Sequence, residues 1–295
     1  MPQPSDLIDV LAGMPARRLN AMSRLLHLLV GFLAVAVVGG LLGWGAWGLC
    51  HQRDEARQAR QAQTPLPPPI TTETPISQPE PASPLRGVRI LLDPGHSGGL
   101  VGATRQVPDG RGGFKDCNNS GTASNAGFPE HTFNWEVATR LKALLEDEGA
   151  SVDLTRADDV SMGPCVDERG KMASGYDAAV SIHANGTPNP AVKGYFALVS
   201  SPALTPAQGE PSQTLARHLL TGLGYAGFSP STAVAGQISY RADLAGLNFA
   251  ECPTVMMELG EMRNGEEAAL MQTPEGQQRY AEALADGLRR WASER

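Results

Sequence analysis

Arg89-Ile90-Leu91-Leu92-Asp93-Pro94-Gly95-His96 is the stretch on which the fold turns. Ile90, Leu91 and Leu92 form an uninterrupted apolar run, the mark of a short buried strand. Asp93-Pro94-Gly95 ends it, because proline lacks an N–H donor and glycine permits a tight turn. His96 is thereby held at the carboxyl end of a strand, where open α/β sheets build their sites. Two later strand-like runs end in the same way, at His183 and Glu258, and Glu130 opens a long helix.

Outward from this stretch, strands and helices alternate. The pattern predicts strands over 88–92, 151–156, 178–182, 194–200 and 253–257. Helices are expected over 130–148, 165–174, 211–223, 266–271 and 273–291. In the first helix Phe133, Val137, Leu141, Leu144 and Leu145 recur at spacings of three and four, and Gly149 ends it. In the last, Thr273 is the cap and Pro274 the first helical residue. Such alternation implies an α/β domain: a three-layer sandwich with a mostly parallel central sheet flanked by helices. Between the first strand and the first helix, Gly98 to Phe128 reads as one long loop with eight glycines. Loops of that length are usually functional or disordered.

Four segments are expected along the 295 residues: 1–24, 25–50, 51–84 and 85–295. Leu28 to Cys50 has 23 residues without a charge. At about 1.5 Å per residue a helix there spans roughly 34 Å, enough for a bilayer core. It is expected to be a single transmembrane anchor, although arginines flank it equally (Arg17, Arg18, Arg24 against Arg53, Arg57, Arg60) and leave its orientation open. Thr64 to Pro84 holds eight prolines in 21 residues, a linker favouring extended polyproline II. The composition is 41% hydrophobic and 19% charged, with a net charge of −7. That balance suits a folded domain and argues against a nucleic-acid partner.

Catalytic zinc takes three protein ligands, His2Glu being one common set, and leaves a position for water. Of six histidines, His27 and His51 lie near the membrane segment and His218 in an amphipathic helix. His96 and His183 close strands. Residue types alone leave two alternatives, a metal site and a pair of structural histidines. Glu130 and His131 are neighbours on one helix and point in different directions, so one of the two can reach a metal. Glu258 ends an apolar run, Thr254-Val255-Met256-Met257, where an acid either closes an ion pair with Arg241 or Arg263 or serves a site. Glu261, three residues on, reads as solvated.

Four stretches taken together resemble the zinc-dependent N-acetylmuramoyl-L-alanine amidases of the amidase type 3 family. They are Leu91-Leu92-Asp93-Pro94-Gly95-His96, the helix from Glu130 to Leu145 with its Glu-x-x-x-Asn start, Ser181-Ile182-His183-Ala184-Asn185, and Val255-Met256-Met257-Glu258-Leu259-Gly260. The resemblance spans about 88–291. It implies a phosphorylase/hydrolase-like fold, Zn2+ on His96, Glu130 and His183, and Glu258 as general base and acid. The bond cut would be the amide between N-acetylmuramic acid and L-alanine of the stem peptide. Asp116-Cys117-Asn118 and Gly163-Pro164-Cys165-Val166-Asp167-Glu168 are similar to the short actinobacterial and mycobacterial form. Ser97-Gly98-Gly99 departs from the usual Gly-Gly after the first histidine. The 75 positions from His183 to Glu258 leave no room for the autoinhibitory helix of division-type relatives.

Cys117 and Cys165 are either a disulfide, two free thiols or zinc ligands, and the disulfide is the expectation in an exported domain. Arg241 could bind a stem-peptide carboxylate or pair with Asp243, and Asn185 is a second candidate substrate contact. The implied partners are peptidoglycan or muropeptide fragments, the membrane through the N-terminal helix, and an activator if the enzyme proves silent alone. The catalytic domain is then expected outside the cytoplasm, in periplasm or cell wall. A zinc peptidase acting within the stem peptide and a non-catalytic wall-binding or regulatory module are the competing readings. No pattern sets the oligomeric state.

Overall fold

A computed structural model describes residues 82–295 of the chain. The elements, in chain order, begin with β1 (Arg89–Pro94), a two-stranded hairpin of β2 (Gln106–Pro108) and β3 (Phe114–Asp116), α1 (Glu130–Asp147), β4 (Ser151–Leu154) and α2 (Val166–Met172). They continue with β5 (Ala178–Asn185), β6 (Phe196–Ser200), α3 (Glu210–Tyr225), β7 (Ile238–Arg241) and α4 (Ala245–Asn248). β8 (Thr254–Glu261), α5 (Gly265–Met271) and α6 (Pro274–Ser293) complete the domain. The main sheet runs β4-β1-β5-β8-β6-β7. Its pairs are parallel except β6 against β8. This is the mostly parallel three-layer arrangement the alternation implies.

Side chains alternate along each strand, so each sheet face has its own residues. Ile90, Leu92, Val180, Ile182, Val255 and Met257 form one face. They pack on Phe133, Val137 and Leu141 of α1, Leu215 and Leu219 of α3, and Tyr280, Leu284 and Leu288 of α6. The opposite face carries Leu91 and Ala179, packed with Ala173, Ala250 and Cys252 beside α2 and α4. Asp93, Ser181, His183 and Glu258 continue this second face toward the carboxyl ends of their strands by the same alternation. From β1 the chain passes by α1 to β4 on one side, then by α2 to β5 on the other. A topological switch point therefore lies between β1 and β5, where such sheets open a crevice.

Helix ends follow the expected chemistry where side chains are available. Thr273 Oγ1 accepts from Gly276 N at 3.0 Å, and Pro274 opens α6. Gly149 takes a φ of 90° after α1.

Several expectations need correction. The loop over 98–128 contains the β2–β3 hairpin. β7 and α4 lie between 223 and 253, where none was expected. β5 and β8 run past His183 and Glu258 instead of ending there. Glu261 is not solvated: it is the last residue of β8 and 1% exposed. Among the described residues no helix is long and apolar enough to cross a membrane. The anchor expected over 25–50 and nearly all of the linker over 51–84 lie outside the described residues.

Candidate metal centre

His96 follows β1 with a left-handed backbone, φ 61°. Its Nδ1 lies 3.0 Å from the carbonyl oxygen of Asn119. Donation there places the proton on Nδ1 and leaves the Nε2 lone pair facing inward, as metal-binding imidazoles require. Nε2 is 3.2 Å from Glu130 Oε1, and His183 Nδ1 is 3.0 Å from the same oxygen. The two rings meet edge to face with centroids 4.8 Å apart. One ligand atom from each of His96, Glu130 and His183 falls within 4.8 Å of the others.

Glu130 stands at the first position of α1, where the helix dipole favours a carboxylate. Its Oε2 accepts from Thr122 N at 2.8 Å. Its Oε1 accepts from Ala184 N at 3.2 Å and from Asn134 Nδ2, one turn along α1, at 3.3 Å. Burial works to raise its pKa, but hydrogen bonds and charge from His183 and His96 outweigh it and hold the carboxyl well below the usual range. Two glycines make the room. A Cβ on Gly95 would lie 2.2 Å from the His183 ring, and one on Gly121 2.4 Å from Glu130 Oε2.

Two imidazole nitrogens aimed at one buried carboxylate oxygen form a donor set suited to a borderline-soft divalent ion. Glu258 adds the fourth group. It is the register partner of His183 across β5 and β8, so the two side chains share a sheet face. Its Oε2 is buried with no hydrogen-bond partner. Burial, then the nearby charges of Glu130 and Glu261, push its pKa well above the ordinary carboxylate value, and Arg241 pulls it back in part.

The other candidates are placed elsewhere or already engaged. His131 Nδ1 contacts Asp159 Oδ1 at 2.8 Å, and Thr132 Oγ1 donates to the other oxygen of Asp159. His218 on α3 contacts Glu294 at 3.2 Å. Arg241 pairs with Asp243, its Nε and Nη2 donating to the two carboxylate oxygens at 2.7 and 2.6 Å. Asn185 donates to Glu261 Oε1 at 2.7 Å. Glu261 also accepts from Thr187 N and so fixes the loop after β5. Cys117 and Cys165 are disulfide-bonded, tying the loop that supplies Asn119 to the start of α2. Cys252 is a buried free thiol.

Asn134 was given no role from the sequence; the signal that could have found it is the Glu-x-x-x-Asn spacing, which puts both side chains on one helix face. Arg169 and Arg156 carried no signal. Arg169 lies in Asp-Glu-Arg-Gly-Lys, which reads as a solvated helix, yet both guanidinium groups are buried against the turn at Pro94.

The sequence profile of the Amidase_3 family, described as N-acetylmuramoyl-L-alanine amidase, matches residues 90–290. An N-acetylmuramoyl-L-alanine amidase of Mycobacterium tuberculosis is 42% identical over 225 residues, 74% of this chain and 93% of that protein. The crystal structure of the N-acetylmuramyl-L-alanine amidase Ami1 from Mycobacterium smegmatis superposes with a TM-score of 0.70 at 42% identity, covering 72% of this chain and 99% of that one. A probable cell wall amidase, LytH, of Staphylococcus epidermidis is 27% identical over 74% of this chain and 63% of its own length. Matched from β1 almost to the end of α6, the chain belongs to the Amidase_3 family of N-acetylmuramoyl-L-alanine amidases.

Proposed function

We propose that the domain is a zinc-dependent N-acetylmuramoyl-L-alanine amidase. Its substrate is then the amide joining the lactyl group of N-acetylmuramic acid to L-alanine of the peptidoglycan stem peptide. His96 Nε2, His183 Nδ1 and a Glu130 oxygen are the zinc ligands. Bound zinc supplies polarisation of the scissile carbonyl and acidification of a water.

The chain's own residues do the rest. Asn119 O fixes the His96 tautomer, and Thr122 N, Ala184 N and Asn134 fix the Glu130 carboxylate. Glu258 Oε2, without a protein partner, is free to take the proton of the attacking water and to deliver it to the alanine nitrogen as the amide breaks. Its raised pKa brings it closer to the range where one group serves as base and then acid. The observation carrying this reading is the convergence of three ligand atoms within 4.8 Å beside that unpaired carboxylate. Action on the cell wall, outside the cytoplasm and tethered by the 25–50 segment, is part of the same proposal. The disulfide is consistent with an oxidising compartment.

Zinc-loaded protein is incubated with peptidoglycan and with muramoyl dipeptide, and products are read by mass spectrometry. Free peptide with L-alanine at its amino terminus is expected, and its loss in Glu258→Ala. Cleavage inside the peptide would move the assignment to a peptidase. No cleavage by folded, zinc-loaded protein would favour a binding module or a missing activator.

A further inference from the structure

His96 and Gln237 are the two non-glycine residues with positive φ among the described residues. A left-handed backbone is disfavoured for any side chain with a Cβ and persists where its surroundings over-determine it. Around His96 they do. Gly95 N donates to Ile182 O at 3.0 Å, and Asn134 Nδ2 donates to Gly95 O at 3.2 Å. Of the remaining carbonyls of the turn, Pro94 O accepts from both Arg156 and Arg169, and His96 O accepts from Arg169 of α2, a side chain that is 5% exposed.

None of its guanidinium nitrogens is idle. Nε donates to Pro164 O at 2.9 Å. Nη1 donates to Asp93 Oδ1 at 2.8 Å and to Pro94 O at 2.9 Å, and Nη2 donates to His96 O at 2.8 Å. Asp93 balances the charge and is itself oriented by Thr155 Oγ1 at 2.6 Å and Ser181 Oγ at 2.7 Å. A planar fork is needed to serve carbonyls on both sides of His96's turn together with a carboxylate. An ammonium, with three donors on one atom, cannot span them.

We propose that Arg169 is a positioning residue for the metal centre: its guanidinium fixes the left-handed turn that presents His96 Nε2, and so sets the affinity of the site for zinc. This rests on the reading of His96 as a zinc ligand. Partners that orient a ligand from outside the coordination sphere typically contribute about 10- to 100-fold in metal affinity.

Zinc affinity is measured on the full chain by competition with a chromophoric chelator, alongside the unfolding midpoint of the metal-free protein. Wild type, His183→Ala and Arg169→Lys are compared. The expected result is a folded Arg169→Lys chain that binds zinc about 10- to 100-fold more weakly than wild type. A lowered unfolding midpoint with unchanged zinc affinity would make Arg169 structural only and overturn the proposal. If Arg169→Lys does not fold, the double variant Asp93→Asn/Arg169→Gln reads the same affinity, because it removes both charges and leaves neither buried alone. Wild type binding no more tightly than His183→Ala would sink the ligand assignment itself. That outcome is distinct from tight binding by wild type and Arg169→Lys alike.

Discussion

Asp93 shows how a single buried carboxylate ties stability to pH. Burial alone would raise its pKa, but Arg169 and the hydroxyls of Ser181 and Thr155 outweigh that and hold it at about 2, against an ordinary 3.8. A depressed folded-state value stabilises the fold above the unfolded value and loses that contribution as pH falls through the folded one. In metal-free protein, the stability difference between wild type and Asp93→Asn is expected to narrow by about 2 kcal/mol from pH 5 to pH 2. Urea unfolding across that range checks it, and a constant difference would contradict it. At this scale His96, His183 and Glu258 stand out because each sits where an apolar run breaks, whereas the choice of a metal site, and of Glu130 over His131, comes from the family resemblance. The residues that hold them do not stand out. Arg169 and Arg156 look locally like solvated charges, and only the crossing of α2 and the chain after β4 against the β1 turn buries them.

Among the elements, the disulfide-tied loop gives the clearest test. Cys117 and Cys165 are 48 positions apart and both buried. Closing a loop of that length stabilises by about 4 kcal/mol in the chain-entropy model. Cys117→Ser/Cys165→Ser is expected to lower the unfolding midpoint by roughly 8–16 °C, the scale for domains of this size. Calorimetry of the oxidised protein and the variant reads this, and equal midpoints would refute it. Long periodic elements such as α1 and α6 were legible because burial writes a repeating pattern into them. β2 and β3 have three residues each, too few to show one. β7 is an edge strand without a fully buried residue, so no apolar run announces it. β5 and β8 were cut short for another reason: their polar residues face the cleft, while parallel pairing continues beneath them.

For the whole molecule, the order β4-β1-β5-β8 explains why residues distant in sequence meet. The carboxyl ends of β1, β5 and β8 are adjacent and deliver His96, His183 and Glu258, while α1 brings Glu130 to the same edge. The mostly parallel sheet with helices on both faces was therefore readable from alternation, and the switch point from that topology. The measurement that tests the central claim most directly is an anomalous difference map at the zinc edge from zinc-soaked crystals. One strong peak is expected, at about 2.0–2.2 Å from His96 Nε2, His183 Nδ1 and a Glu130 oxygen, with Glu258 alongside and unbound. A peak instead at the His131–Asp159 pair, or zinc held by fewer than these three residues, would contradict the account.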